Sequence, residues 1–179
     1  MAVNNVYIFD VDDTLIDTKA CIRAIDEHGR VVFKAGTKVF NAPDSTERLL
    51  RPGLAWDFTE FESFDQLMSE PLRKPFEILK SLNPEQNRIC IATARQCYNE
   101  LRRWLEVHGV DVNHIQIYCY NRYVPTVAEW KGSLLADIIC TTKSQDPIRV
   151  HIYEDDLNNR VAMSRTCEKY GIEHIIHAI

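Results

Sequence analysis

The sequence predicts a three-layer α/β fold, in which a Rossmann-like parallel sheet lies between two layers of helices. Two observations predict this sheet. Short apolar, β-branched runs recur along the chain, and between them lie stretches whose apolar residues repeat at helical spacing. A third observation predicts a small hairpin and aromatic insertion after strand one, because residues 16–70 interrupt the alternation. We therefore expect one domain over 1–179, with 16–70 as a small cap or flap.

Five apolar runs are the predicted core strands. In chain order they are VYIFDV at 6–11, ICIAT at 89–93, IQIYCY at 115–120, VHIYE at 150–154 and HIIHAI at 174–179. Strands that are buried on both faces of a sheet read as such runs, because neither face meets water. Ligands of parallel sheets bind beyond the carboxyl ends of the strands, so the functional residues are expected there.

Helical periodicity marks four stretches, at 70–82, 96–109, 126–139 and 157–171. In the second stretch, one face collects Cys97, Leu101, Trp104, Leu105 and His108. Gly109 and Gly171 are typical stop signals for the second and fourth helices. Pro75 predicts that the first helix has an extended or loop-like start.

The insertion has two recognisable parts. CIRAIDEHGRVVFKAGTKVFN (21–41) predicts a β-hairpin that turns at Asp26-Glu27-His28-Gly29, and the aromatic-rich RPGLAWDFTEFESF (51–64) follows. The spacing of its aromatic residues favours a packed helix face or lid, while stacking on nucleotide bases is the alternative; they are Trp56, Phe58, Phe61 and Phe64. This insertion is expected to overhang the site.

Composition argues against several classes of protein. A formal net charge of −5 gives no basic footprint for broad nucleic-acid or acidic-membrane binding, although a small basic patch remains compatible with it. The six cysteines form no CxxC pair and several lie in apolar runs, so reduced core cysteines are expected. No run reaches the roughly 20 apolar residues that span a bilayer, and the histidines lack the spacing of zinc ligands. A soluble, cytoplasmic protein is predicted.

Acidic side chains gather where the predicted strands end. They are Asp10, Asp12 and Asp13 after the first strand, and Glu154, Asp155 and Asp156 after the fourth. Like charges this close need a counter-charge, which can be a divalent cation, a lysine or exposure to water. Lys131 precedes the second acidic group by one helix and strand, and so many hard oxygen ligands suit Mg²⁺.

Four motifs in order give a family resemblance. They are DVDDT at 10–14, the threonine of ATAR at 93, the lysine of EWKG at 131 and the acidic pair of YEDD at 155–156. With these motifs the sequence resembles the haloacid-dehalogenase (HAD) superfamily of aspartate-nucleophile phosphohydrolases, over the core but not over 16–70. Through ATAR and the EDD that opens a helix, the core is also similar to polynucleotide 3′-phosphatase domains.

The resemblance implies a phosphatase with a covalent intermediate. Asp10 would attack phosphorus to give an aspartyl-phosphate, and Asp12 would protonate the leaving oxygen and later activate water. A spacing of two places both carboxylates on one side of an extended segment. Thr93 would bind a phosphoryl oxygen, and Lys131 would offset negative charge on nucleophile and phosphate.

The same resemblance implies a substrate and metal site. Thr14 would shape the turn at the phosphate, and Arg95 would belong to the substrate-binding residues. The implied Mg²⁺ ligands are Asp10, the Asp12 carbonyl and Asp155, with Asp156 in support.

Each acidic or hydroxyl residue also has a plain structural interpretation. Asp10 and Asp12 would then be turn or cap residues after a strand. Thr93 would be a helix N-cap, which is compatible with phosphate binding. For Asp13 the structural role is the expected one, namely support of the turn or a cap.

The basic residues have alternatives as well. Lys131 would be a solvated helix lysine, with Lys143 as its rival for the active-site role. Arg95 would form a salt bridge to Glu154 or Asp156. Glu154 would support the site without binding the metal.

Two function classes stay open: a Mg²⁺-dependent phosphatase, and a HAD-derived module that binds without turnover. The presence of both nucleophile and acid/base favours the phosphatase. A flap as short as 16–70 leaves the mouth of the site partly open, so a nucleotide or nucleic-acid terminal phosphate is favoured over a small metabolite. The acidic charge predicts contact with only the last nucleotide or two. Arg122 is a further candidate contact, and no membrane or other partner is expected.

Overall fold

The computed structural model describes residues 4–40, 53–62, 70–120, 123–142 and 147–179. Its strands are β1 (Asn4–Phe9), β2 (Cys21–Ile25), β3 (Val31–Gly36), β4 (Ala55–Asp57), β5 (Asn87–Thr93), β6 (Ile115–Cys119), β7 (Ile148–Glu154) and β8 (Glu173–Ala178). Its α-helices are α1 (Thr37–Phe40), α2 (Arg73–Ser81), α3 (Tyr98–Val107), α4 (Val127–Thr141) and α5 (Leu157–Tyr170). Short 3₁₀ turns occur at Thr59–Glu62 and Val112–His114.

The core is a five-stranded parallel sheet in the order β6-β5-β1-β7-β8. Its central strand β1 has alternate side chains in two apolar clusters, with Phe9 in one and Val6 and Ile8 in the other. Each fully buried side chain of this size stabilises the fold by about 1.5–3 kcal/mol. Because Trp104 of α3 joins the first cluster and Trp130 of α4 the second, helices cover both faces, and the predicted three-layer fold is confirmed.

The helices follow the predicted periodicity closely. Gly109 and Gly171 have φ angles of 81° and 65°, so the left-handed residues that end α3 and α5 are the predicted glycines. The chain is extended through Leu72 as Pro75 suggested, but α2 already begins at Arg73. Pro75 fits inside the first turn because the first N–H groups of a helix have no intrahelical acceptor.

The predicted hairpin is also present. β2 pairs antiparallel with β3, and β4 pairs with the other edge of β2, which gives a three-stranded sheet. At the turn, Gly29 N donates to Asp26 O at 2.9 Å, and the Asp26 carboxylate accepts from the backbone N–H groups of His28 and Arg30. Gly29 has φ of 77°, which a glycine adopts without strain.

The two ends of the insertion meet beside the end of β1. Ile16 forms an antiparallel bridge with Pro71, and Leu72 N donates to Leu15 O at 2.8 Å. We call this paired segment the neck. On the insertion side of the neck, Asp17 N donates to Glu70 O at 3.3 Å.

Glu60 ties the parts of the insertion together. Its carboxylate accepts hydrogen bonds from Cys21 N and from Arg23 on β2, and from Lys34 on β3. The described part of the aromatic segment forms β4 and a 3₁₀ turn, and Phe64 lies outside the described residues.

Among the described residues, no helix is long and apolar enough to cross a membrane. All six cysteines are free thiols, and Cys90, Cys97 and Cys167 are buried.

Candidate active site

A cavity of about 1230 Å³ lies between the carboxyl edge of the parallel sheet and the insertion. On the sheet side it is lined by Asp10, Asp12, Arg95, Lys131, Glu154, Asp155 and Asp156. The insertion contributes an apolar and aromatic wall that includes Ile22, Ile25, Trp56, Phe58 and Phe61. On the sheet side alone, four separate stretches of sequence converge on this cavity, at the edge where the sequence predicted the site.

Lys131 lies between two carboxylates. Its Nζ donates to Asp10 Oδ1 and to Glu154 Oε2, each at 2.6 Å, and only 2% of its side chain is exposed. Burial opposes the ammonium charge, but the two carboxylates outweigh this and raise the pKa of Lys131. Lys131 is therefore a charged, buried residue on the inner side of α4, and the solvated-lysine interpretation is wrong. Lys143, its rival, lies outside the described residues.

Three carboxylates form the acidic centre of the site. Oxygens of Asp10, Glu154 and Asp155 all lie within 4.8 Å of one another. Burial, followed by the charge of Glu154, raises the pKa of Asp10 well above its ordinary value. The same two causes raise the pKa of Asp155 to about 7. Lys131 therefore offsets only part of the negative charge, and hard oxygen donors with uncompensated charge fit Mg²⁺.

Glu154 supports both Lys131 and the start of α5. Only 1% of it is exposed, and besides Lys131 its carboxylate accepts from Asn159 Nδ2 at 3.0 Å and from Asp156 N at 3.3 Å. The signal was available, because a glutamate that ends a buried strand must find partners. Asp156, by contrast, caps α5: its Oδ1 accepts from Asn159 N at 3.0 Å. Its side chain lines the cavity without belonging to the three-carboxylate group.

Asp12 is paired with Arg95. The guanidinium donates from Nε at 2.9 Å and from Nη2 at 2.6 Å to the two oxygens of this carboxylate. The salt bridge to Glu154 or Asp156 that was the alternative for Arg95 is therefore replaced by one to Asp12. The substrate-binding role of Arg95 stays a prediction, although its side chain is fully buried.

Asp13 and Thr14 belong to the turn that follows β1. Asp13 has φ of 57°, the turn conformation expected for it, and its carboxylate also accepts from Thr18 N and from Thr37 Oγ1. Thr37 belongs to α1, so Asp13 additionally links the insertion to the core. Thr14 is fully buried, and its Oγ1 has no hydrogen-bond partner among the described residues.

Thr93 ends β5 and is 1% exposed. Its Oγ1 accepts from Arg95 N at 3.1 Å, which holds the loop that carries Arg95. The helix N-cap that was the structural alternative for Thr93 is wrong, because α3 begins at Tyr98 and its N-cap is Cys97. Phosphate binding by Thr93 stays a prediction. Arg122 lies outside the described residues.

Solved structures with a similar fold come from Legionella pneumophila. The HAD domain of effector protein Lem4 aligns with a TM-score of 0.54 and 16% identity, over 98% of this chain and 85% of that one. Its inactive mutant gives the same TM-score and identity, over 100% of this chain and 86% of that one. The effector Ceg4 aligns with a TM-score of 0.50 and 12% identity, over 99% and 87% of the two chains.

These similarities establish the fold. The chain has the fold of HAD domains, as its four motifs predicted. No protein-family model and no curated protein matches the sequence. The resemblance to polynucleotide 3′-phosphatase domains stays a prediction.

Proposed function

We propose that this protein is a Mg²⁺-dependent phosphomonoesterase that acts through an aspartyl-phosphate on Asp10. One observation carries the proposal: Asp10, Lys131, Glu154 and the partly buried Asp155 form a charged cluster in the lining of the cavity. A folded chain keeps such a cluster at considerable electrostatic cost, which is typical of catalytic sites.

The nucleophile is well placed for one direction of attack. Lys131 donates to Asp10 Oδ1, so Oδ2 is the oxygen that attacks phosphorus. The new Oδ2–P bond forms as the ester O–P bond breaks, and Asp12 gives its proton to the departing alkoxide. In the second step Asp12 takes a proton from water, the water oxygen bonds to phosphorus, and the Oδ2–P bond breaks to release inorganic phosphate.

The carboxylates supply the metal site. Asp10 and Asp155 would hold Mg²⁺ with the Asp12 carbonyl, while Glu154 and Asp156 support them from β7 and the start of α5. When bound, the cation would neutralise charge on the transferring phosphoryl group. Lys131 adds a fixed positive charge in contact with Asp10.

The residues that line the cavity indicate which class of substrate it accepts. Its aromatic residues on the insertion offer planar apolar surface, and among the described lining residues the two cations, Arg95 and Lys131, are both paired with carboxylates. Asp57 and Glu62 add negative charge at the same wall. This favours an aromatic leaving group over a long polyanion. We propose the terminal phosphate of a nucleotide or nucleic acid, with contacts limited to the last nucleotide or two.

A two-stage assay tests the proposal. Hydrolysis of an aryl phosphate is measured with Mg²⁺ and with a chelator, and Asp10→Asn is the matched control because an amide cannot act as the nucleophile. Metal-dependent turnover that Asp10→Asn abolishes is expected. Equal turnover by the two proteins would refute Asp10 as the nucleophile, and no turnover by the wild type would favour the binding-module alternative.

The second stage compares kcat/KM for a 3′-phosphorylated oligonucleotide, a nucleoside monophosphate and a hexose phosphate. The first two are expected to be preferred, with a shallow dependence on salt. A preference for the hexose phosphate would instead indicate a small-metabolite phosphatase.

A further inference from the structure

Arg95 has a geometry unlike that of a substrate contact. Its guanidinium forms a fork with Asp12, in which Nε lies 2.9 Å and 3.1 Å from the two carboxylate oxygens and Nη2 lies 2.6 Å from Oδ1. The Arg95 side chain is 0% exposed and the Asp12 side chain 13% exposed. Arginine is suited to this pairing because its planar donors match both oxygens of a carboxylate.

The remaining contacts of Arg95 come from the insertion. Nη2 donates to Thr18 Oγ1 at 3.0 Å, and Thr18 in turn donates to Asp12 Oδ1. Nη1 donates to Phe61 O at 3.4 Å, and the guanidinium carbon lies 5.1 Å from the centroid of the Phe61 ring. Most N–H donors of the guanidinium are thereby occupied within the protein.

The structure assigns Arg95 as the positioning residue of Asp12, and Phe61 as the part of the insertion that holds Arg95 in place. This assignment rests on the proposed function, in which Asp12 is the acid and base. It goes further because it makes the insertion a component of the acid/base apparatus as well as a wall of the cavity.

The physical reason is orientation. A general acid must lie within hydrogen-bond reach of the leaving oxygen, and a displacement of about 1 Å costs about a hundredfold in rate. Asp12 follows a strand and is itself partly exposed, so its carboxylate needs an external constraint. The fork from Arg95 and the hydroxyl of Thr18 supply that constraint, and Phe61 prevents the arginine from swinging away.

Two substitutions test the assignment. Arg95→Lys keeps the charge but removes the fork, and Phe61→Leu removes the ring over the guanidinium. Both are expected to lower kcat, by about tenfold to a hundredfold for Arg95→Lys and less for Phe61→Leu, with KM little changed. The loss is expected to be larger for alkyl than for aryl phosphates, since alkyl leaving groups depend more on the acid.

Arg103→Lys is the matched control. Arg103 is an exposed residue of α3 that does not line the cavity, so its substitution is expected to leave both kcat and KM near those of the wild type. If Arg95→Lys and Phe61→Leu instead raise KM with kcat unchanged, Arg95 is a substrate contact and the assignment is wrong. Equal losses for alkyl and aryl phosphates would also overturn it.

A readout without turnover separates this inference from the proposed function. Hydrogen exchange of the backbone over 53–62 is expected to quicken about tenfold or more in Arg95→Lys, because Phe61 loses its anchor, while exchange in β5 stays unchanged. Unchanged exchange at 53–62 would refute the link between Arg95 and the insertion. A wild type without phosphatase activity would refute the proposed function, whereas faster exchange in the variant would still support this link.

Discussion

Replacing Lys131 by methionine removes the only buried cation that contacts Asp10 and Glu154 among the described residues. At 2.6 Å and an effective dielectric constant of about 20, each contact is worth about 6 kcal/mol. Desolvation of the ammonium and the two carboxylates, whose side chains are 2%, 8% and 1% exposed, cancels most of this. Loss of one partner of a buried pair typically costs about 3–5 kcal/mol, because the other charges stay buried without compensation.

Urea unfolding at neutral pH with a chelator measures this cost. Lys131→Met is expected to lower the free energy of unfolding by about 3–5 kcal/mol. The control Lys169→Met, at an exposed position of α5, is expected to lower it by about 0.5 kcal/mol or less. The double variant Lys131→Met with Glu154→Gln is expected to regain part of the loss, since a neutral amide replaces one buried charge. A loss below about 1 kcal/mol, or a further loss in the double variant, would refute the view that Lys131 compensates these carboxylates.

Three other substitutions test the site and the insertion. Asp12→Ala is expected to slow turnover about 10²–10⁴-fold, and equal losses with aryl and alkyl phosphates would contradict its role as the acid. Asp155→Asn is expected to weaken Mg²⁺ binding by at least about tenfold in calorimetric titration, and unaltered affinity would remove it from the ligand set. Burial would raise the pKa of Glu60, but hydrogen bonds from Arg23 and Lys34 lower it from 4.5 to about 2. Since the unfolded chain then binds the proton more tightly, Glu60 stabilises the fold above pH 4.5, and this stabilisation is lost as the pH falls toward about 2. The free energy of unfolding of Glu60→Gln, measured with urea, is therefore expected to approach that of the wild type as the pH falls through that window. A difference that stays constant with pH would show that the ion pairs of Glu60 contribute nothing.

The sequence was a good guide wherever one local pattern determines the structure. Strands buried on both faces must be apolar throughout, so β1, β5 and β7 were visible as short runs, and their carboxyl ends located Asp10 and Asp155. The hairpin turn at Gly29 was equally local, because an aspartate and a glycine define it within four residues.

Partners that are distant along the chain were not predictable in the same way. Arg95 and Asp12 are 83 positions apart, and Arg95 had several carboxylates within plausible reach. The choice among them depends on the packing of Phe61 and Thr18, which no periodicity reports. The contact between Glu154 and Lys131 was not predictable for a related reason: the sequence assigned Lys131 to Asp10 and does not show that one ammonium contacts two acids.

The neck has an evolutionary consequence. The chain leaves the core at Ile16 and returns to it at Pro71, and these two residues pair with each other. The two ends of the intervening segment are therefore held a short, fixed distance apart. Lengthening a loop between such fixed ends costs little, because each doubling adds only about 0.6 kcal/mol of closure entropy. Enlargement of the segment between Thr18 and Phe61 can therefore proceed without disturbing the nucleophile strand, as long as these two residues keep their contacts with Arg95. Under that condition, substrate preference can diversify while the chemistry is kept.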